Sequence, residues 1–307
     1  MHDPTRPERS SLPQRPDPSG PRKRAALLYG GLAASSMAAP RVARLLGRWM
    51  PRRAADGVAV AGLVIGGVAV IARMEKRHPF REEWNEDHGD VRTDTADLLV
   101  SDGWGRSAAS ALTGPIRNAI RGRRKRKGTD GLLSRLPLPL QVATLLLAFD
   151  LGHYTMHRVM HEKAGWKLHA PHHSPERLYW LNATRFHPIE LGIGGTWEMI
   201  VVAVLGPSHD ADLAYQVARG TYGQIQHANV DIDSGPLNAV LSTPERHRWH
   251  HSTEPSEGNT NYGAVVAVWD HAFGSAQVPD RQFDAELGNG DPDYPTGWAA
   301  QLAAPFR

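Results

Sequence analysis

Two short stretches of this 307-residue chain repeat one spacing. "HAPHH" places His169, His172 and His173 within five positions, and "HRWHH" does the same with His247, His250 and His251. On a helical turn the first and last histidine of each set face the same way, with the middle one close by. A third stretch, "DLGHYTMHRVMHE", spaces His153, His157 and His161 at i, i+4 and i+8, one helix face, so His157 and His161 can present nitrogens to one site. Asp150, two turns before His157, is placed to accept an outer hydrogen bond that fixes an imidazole tautomer. His227 in "QHANV" is a further ligand candidate, and His187 in "RFHP" a possible one. Any single histidine of this kind is more often an ordinary polar residue; the argument rests on the repeated spacing. Leaving out His153 and His187, these stretches supply nine imidazoles. One zinc takes about four ligands, so the number points to two metals. All-nitrogen neutral ligation suits iron, zinc, copper or nickel rather than magnesium or calcium.

The composition narrows the chemistry. The chain has no cysteine, which excludes thiolate-bound clusters and cysteine nucleophiles within it. "HEKAG" at His161 begins like the zinc-protease motif H-E-x-x-H but lacks its second histidine. Two metals on histidine, without a nucleophile elbow, point to oxygen chemistry more than to hydrolysis. The rivals are a dizinc hydrolase of membrane lipids and a non-catalytic metal-binding membrane protein. A transporter would place its ligands inside apolar spans, whereas these stand among Arg158, Pro171 and Arg248. The net charge is only +3, and the basic block "RGRRKRK" (Arg121 to Lys127) reads as a cytoplasmic membrane flank before it reads as a nucleic-acid site.

The elements that must carry these residues read as helices. Residues 1–24 are polar and proline-rich and are expected to be a disordered tail. "AALLYGGLAASSMAAP" and "GVAVAGLVIGGVAVIA" are expected to pair as a membrane hairpin, which a basic linker continues to residue 132. From Leu133 to Glu162 one long helix is expected, its first half in lipid and its histidine-bearing half projecting from it. "GIGGTWEMIVVAVLGP", interrupted by Glu198, suits a re-entrant or interfacial helix. The expected organisation is a catalytic region over 133–280 and a C-terminal tail over 281–307. The fold class is all-α: integral-membrane helical hairpins carrying a cytosolic helical cap with a histidine-rich dimetal site. The mean hydropathy of −0.42 is low for such a protein.

"HRVMHE", "HAPHHS", "QHANV", "TPERHRWHHS" and "NYGAVVAVWDHAFG" resemble, in order and spacing, the fatty acid hydroxylase superfamily of membrane di-iron oxygenases, over roughly residues 145–280. This group includes sterol desaturases, carotene hydroxylases and alkylglycerol monooxygenase. The resemblance implies a membrane stalk, a cytosolic cap, and metal-ligand roles for His157, His161, His169, His172, His173, His247, His250 and His251, with His227 as the intermediate histidine. It places Glu162 and Asn229 beside Asp150 as candidate catalytic or supporting residues, and Asn261, Tyr262, Trp269 and Asp270 as supporting ones. His271 stands where a basic residue is common. The implied activity is hydroxylation or desaturation of a lipid (sterol, fatty acyl, carotenoid or ether lipid) by two iron ions and O2, with zinc as an occupant that a purified sample can carry. Electrons must come from a separate ferredoxin or cytochrome b5-like donor, because this chain shows no redox module of its own.

Overall fold

The computed structural model describes residues 18–127, 131–277 and 283–307. Helix α1 (Ser19–Leu46) and helix α2 (Arg52–Arg77) are joined by a link too short for anything but an antiparallel hairpin. The first residues of α1 fall inside the expected tail, so that boundary moves back to Ser19; residues 1–17 lie outside the described residues. A short helix α3 (Val91–Ala96) runs through a π-turn into α4 (Asp102–Lys127). The basic block expected as a linker is therefore the C-terminal turns of α4. Then follow α5 (Leu138–Met160), α6 (Lys163–His173), α7 (Pro188–Leu205), α8 (His209–Gln226), α9 (Pro244–His250), α10 (Pro255–Gly258), α11 (Val268–Ala272) and α12 (Trp298–Ala303). Among the described residues, extended pairing is confined to three isolated bridges.

Helix α8 is the centre of the packing. Its Leu213 and Val217 meet Ala39 and Ala43 of α1 and Ala59 of α2. On another face Tyr215 and Tyr222 join Leu145 and Phe149 of α5 and Val201 of α7. The hairpin and the histidine-bearing region thus share their core and are not separable units. The C-terminal segment, expected as a tail, is also built in. Phe283 packs edge-on against Trp84, the Trp298 indole donates to Ser101 (3.0 Å), and Gln301 is buried.

Among the described residues, α2 and α7 are long and apolar enough to cross a membrane, and most of each apolar window is unburied. Helix α7 was expected to be shorter. Pro188 at its first position and the His187 cap start it four residues ahead of the apolar run and give it 18 residues. Helix α1, the other half of the hairpin, does not meet the same criterion.

Helices α4 and α7 meet along a seam of small residues. A Cβ on Gly105 would sit 2.4 Å from the Cβ of Leu191, and one on Gly195 would sit 3.0 Å from that of Ala109. Gly105→Val should therefore force the pair apart and cost about 1–3 kcal/mol, read as a lower thermal midpoint in detergent. Gly103→Ala, whose Cβ meets no atom within 4 Å, is the control. Equal midpoints for the two variants would contradict the seam.

Candidate metal centre

Nine histidines come together at one end of α5, and they divide into two adjoining groups. His157, His161, His169, His173 and His250 form one; His172, His227, His247 and His251 form the other. Within each group one nitrogen per ring lies within 4.8 Å of the corresponding nitrogens. Each H-x-x-H-H stretch straddles the boundary. On α6 the i and i+4 rings, His169 and His173, enter the first group while His172 enters the second. On α9 and its C-terminal cap the i and i+4 rings, His247 and His251, enter the second while His250 enters the first. The groups abut: the rings of His173 and His251 stack with centroids 4.3 Å apart.

The ring orientations are set from outside. His157 Nδ1 lies 2.8 Å from the Tyr262 carbonyl, His250 Nδ1 2.7 Å from that of Thr260, His172 Nδ1 3.1 Å from that of Arg185, and His227 Nδ1 3.0 Å from that of Gly223. A carbonyl oxygen only accepts, so these four Nδ1 atoms carry the proton and their Nε2 atoms present lone pairs inward. His161 Nδ1 meets Asn259 Oδ1 at 3.0 Å, and His169 Nδ1 meets Glu190 Oε1 at 2.8 Å. Burial, with further depression from neighbouring rings, holds the pKa of His157, His169, His172, His173, His247, His250 and His251 well below the ordinary value. Burial pushes His161 and His227 down to about 4.

This donor set fits a metal. Facing Nε2 atoms lie 3.0 Å apart in His157–His169 and His247–His251, and 3.2 Å apart in His173–His250 and His227–His247. Two ligands at right angles on one ion, each at about 2.1 Å, would be about 3.0 Å apart. His161 Nε2 is buried without a hydrogen-bond partner, as expected of a nitrogen kept for an ion.

One loop fixes three of the five rings in the first group. Asn259, Thr260 and Tyr262 supply the oxygens for His161, His250 and His157. The loop is itself pinned by carboxylates. Asp270 accepts from the amides of Tyr262 (2.8 Å) and Gly263 (3.0 Å), and Asp150 Oδ1 accepts from those of Ala264 (2.8 Å) and Val265 (2.7 Å). Asn261, at φ +55, is held by its side-chain oxygen to Arg246 (2.7 Å) and by its amide nitrogen to the Gln277 carbonyl (2.7 Å). Asp150 was expected to bond an imidazole directly. Its Oδ1 instead holds the loop whose Tyr262 carbonyl holds His157.

Other expected residues also sit differently. His187 stands outside both groups: its Nδ1 caps α7 by accepting from the Ile189 amide (3.2 Å), and its Nε2 faces the Leu302 carbonyl (3.2 Å). Asn229 is buried behind His227, exchanging hydrogen bonds with Arg81 and donating to Asn85. Glu162 turns the exposed corner between α5 and α6. The Trp269 indole donates to the Leu147 carbonyl (3.1 Å). The residue that sequence reasoning missed is Glu190. Its signal was a second carboxylate, besides Glu198, in a helix whose other residues are mostly apolar, a setting in which ionisable groups commonly carry function. Arg185 was missed as well. Its guanidinium is buried against Asp94 (2.5 Å), and this pair anchors the segment whose carbonyl fixes His172.

Two measurements follow from this geometry. His172→Ala removes a ligand from the four-membered group and should leave about one ion per chain, whereas His187→Ala should retain about two; equal metal content in the two variants would contradict the division. The depressed histidine pKa values mean that the unfolded chain binds more protons than the folded one as pH falls below the ordinary value of 6.5. The stability these rings contribute is then fully present above about 6.5 and is lost toward about 4, where His161 and His227 titrate. Asp150, Glu75 and Asp97, whose carboxyls burial raises to about 7 or 8, act with the opposite sign over the same range. The histidine part is therefore read as the difference in thermal midpoint between metal-stripped protein and its His161→Phe, His227→Phe variant; the difference should fall through that window, and a constant difference would refute the buried neutral rings.

Residues 142–275 match the family model described as fatty acid hydroxylase. Ornithine lipid hydroxylase OlsE of Rhizobium tropici is 34% identical over 242 residues, covering 78% of this chain and 73% of that protein. Alkylglycerol monooxygenase of Caenorhabditis elegans is 32% identical over 147 residues, and that of Homo sapiens 28% over 138. This chain spans only 27% and 30% of their lengths. No solved structure matches the chain. With the ornithine lipid hydroxylase matched along most of its length and the family model covering the stretch that holds every grouped histidine, the chain belongs to the fatty acid hydroxylase superfamily.

Proposed function

We propose that this chain is a membrane-bound, O2-dependent di-iron lipid hydroxylase supplied with electrons by a separate ferredoxin or cytochrome b5-like donor. The observation that carries the reading is the pair of adjoining, buried, all-imidazole groups. Two iron ions, when bound there, supply activation of O2 and attack on an unactivated C–H bond. The chain would hold them through five and four imidazoles, and outer carbonyls keep the protons of His157, His172, His227 and His250 away from the ion side. Burial limits water at the reacting centre, and imidazoles withstand oxidising conditions that would carry thiolates up the oxidation ladder. Hydroxylation is favoured over desaturation because the relatives are named a hydroxylase and monooxygenases. Ornithine lipid is the first substrate to test, since the relative named for it is matched over most of its length.

In the membrane, α2 and α7 are the spans. The basic end of α4 lies at the C-terminal end of α7, where Arg124 donates to the Val204 carbonyl (2.7 Å), whereas the metal centre lies at the N-terminal end, where Glu190 meets His169. With α7 as a span, the basic block and the metal centre stand on opposite sides, so the block does not mark the side of the metal centre. Zinc in a purified sample would be adventitious replacement of iron. A dizinc hydrolase would usually employ bridging carboxylates. Glu190, the carboxylate closest to the rings in hydrogen-bond terms, instead holds His169 Nδ1.

The test supplies the iron-loaded protein with ornithine lipid, O2, ferredoxin and a ferredoxin reductase. A mass gain of one oxygen that requires both O2 and reductant is expected. Conversion that proceeds with zinc and without O2 would overturn the reading in favour of hydrolysis.

A further inference from the structure

Between α5 and α7 runs an apolar groove of about 550 Å³. That volume lies within the range of small-molecule sites, about 300–1,000 Å³. Its walls are Met156 and Val159 on α5 and Ile193 and Trp197 on α7. Val159, Ile193 and Trp197 are exposed, on a helix pair of which α7 is apolar enough to face lipid. At another point the groove reaches His153, whose ring packs edge-on against that of His157 with centroids 5.4 Å apart. His157 belongs to the five-histidine group, so the groove comes within one ring of the metal centre.

Two glycines shape it. A Cβ on Gly152 would overlap the Trp197 indole at 2.1 Å, so the absent side chain lets the indole lie against α5 and donate to the Phe149 carbonyl (3.0 Å). Gly194 faces Met156 across the groove. A Cβ there would reach ordinary contact with Met156 Cε at 3.5 Å, so anything larger would narrow the passage.

We infer that this groove holds the alkyl chain of the lipid being hydroxylated, leading it from the exposed face at Val159 and Ile193 to His153, the positioning residue beside His157. The inference rests on the lipid hydroxylase reading. The occupant is a hydrocarbon chain, because the wall residues other than the histidine are apolar or present methyl and methylene groups. It is the substrate's chain and not bulk lipid, because the groove is continuous with the ring that touches a metal-ligand candidate.

The experiment uses full-length, iron-loaded protein in detergent and a long-chain fatty acid carrying a photoreactive diazirine near its methyl end. After irradiation, labelled peptides are located by mass spectrometry. Labelling should concentrate on Met156, Val159 and Ile193, and fall at least tenfold in Gly194→Phe with metal content unchanged. If Gly194→Phe does not fold, Met156→Trp closes the groove from the opposite wall without altering α7, and the same loss is expected. Labelling spread over the exposed faces of α2 and α4, or unchanged by closure in the variant that folds, overturns the groove. Lipid turnover is read in parallel. Groove labelling with no oxygen gained by any lipid would sink the hydroxylase reading and leave the groove as a chain-binding site. Undiminished turnover in the closed variant would sink the groove and leave the hydroxylase.

Discussion

A neutral imidazole carries one proton on two nitrogens, and the structure around this metal centre is organised by deciding which nitrogen has it. Where Nδ1 donates to a backbone carbonyl, Nε2 can only be a lone pair. His157, His172, His227 and His250 are all fixed in this way. The carbonyls concerned come from scattered places: the 259–262 loop, the segment before α7 and the last turn of α8. Each must be held to within a few tenths of an ångström. The Asp150 and Asp270 carboxylates, the Arg185–Asp94 ion pair and the Arg246–Asn261 contact meet that demand. They would be costly buried charges and amides in a core with no such task.

The histidines themselves were legible because their spacing is a property of the chain. The i, i+4 relation that groups His169 with His173 and His247 with His251 follows from helix geometry. The assignment of His172 and His250 to the opposite groups depends on how α6 and α9 face one another, which no local pattern specifies. Glu190 and Arg185 were illegible for the same reason: they reach the rings through tertiary contacts far along the chain. The role of Asp150 was half readable. Its place two turns before His157 drew attention to it, but its carboxylate bonds across to residues 264 and 265. The helices were mostly readable from their apolar runs. The expected tails were misjudged, because polar composition hides single anchoring contacts such as that of Trp298 with Ser101.

The low mean hydropathy is accounted for by the distribution of polarity in the fold. The core contains nine imidazoles, buried arginines and buried aspartates, whereas many large apolar side chains on α2, α4 and α7 face outward. Such a chain has moderate average hydropathy even though α2 and α7 are apolar enough to lie in lipid. Close seams between α4 and α7 and between α5 and α7 rely on Gly105 and Gly152 rather than on large interlocking side chains, as in helix packing without a strong solvent-driven collapse.

The division of α6 and α9 between the two histidine groups has a consequence for assembly. An ion bound in either group immobilises both short helices, because each contributes rings to that group. The ordering of those helices, an entropic cost, is then already met when the second ion arrives. The two sites are thermodynamically linked, and occupancy should pass from none to both with little accumulation of the singly loaded form when both ligand sets are intact. With iron as the proposed metal and a lipid as the proposed substrate, linkage of this kind would keep a lone redox ion from persisting beside an alkyl chain.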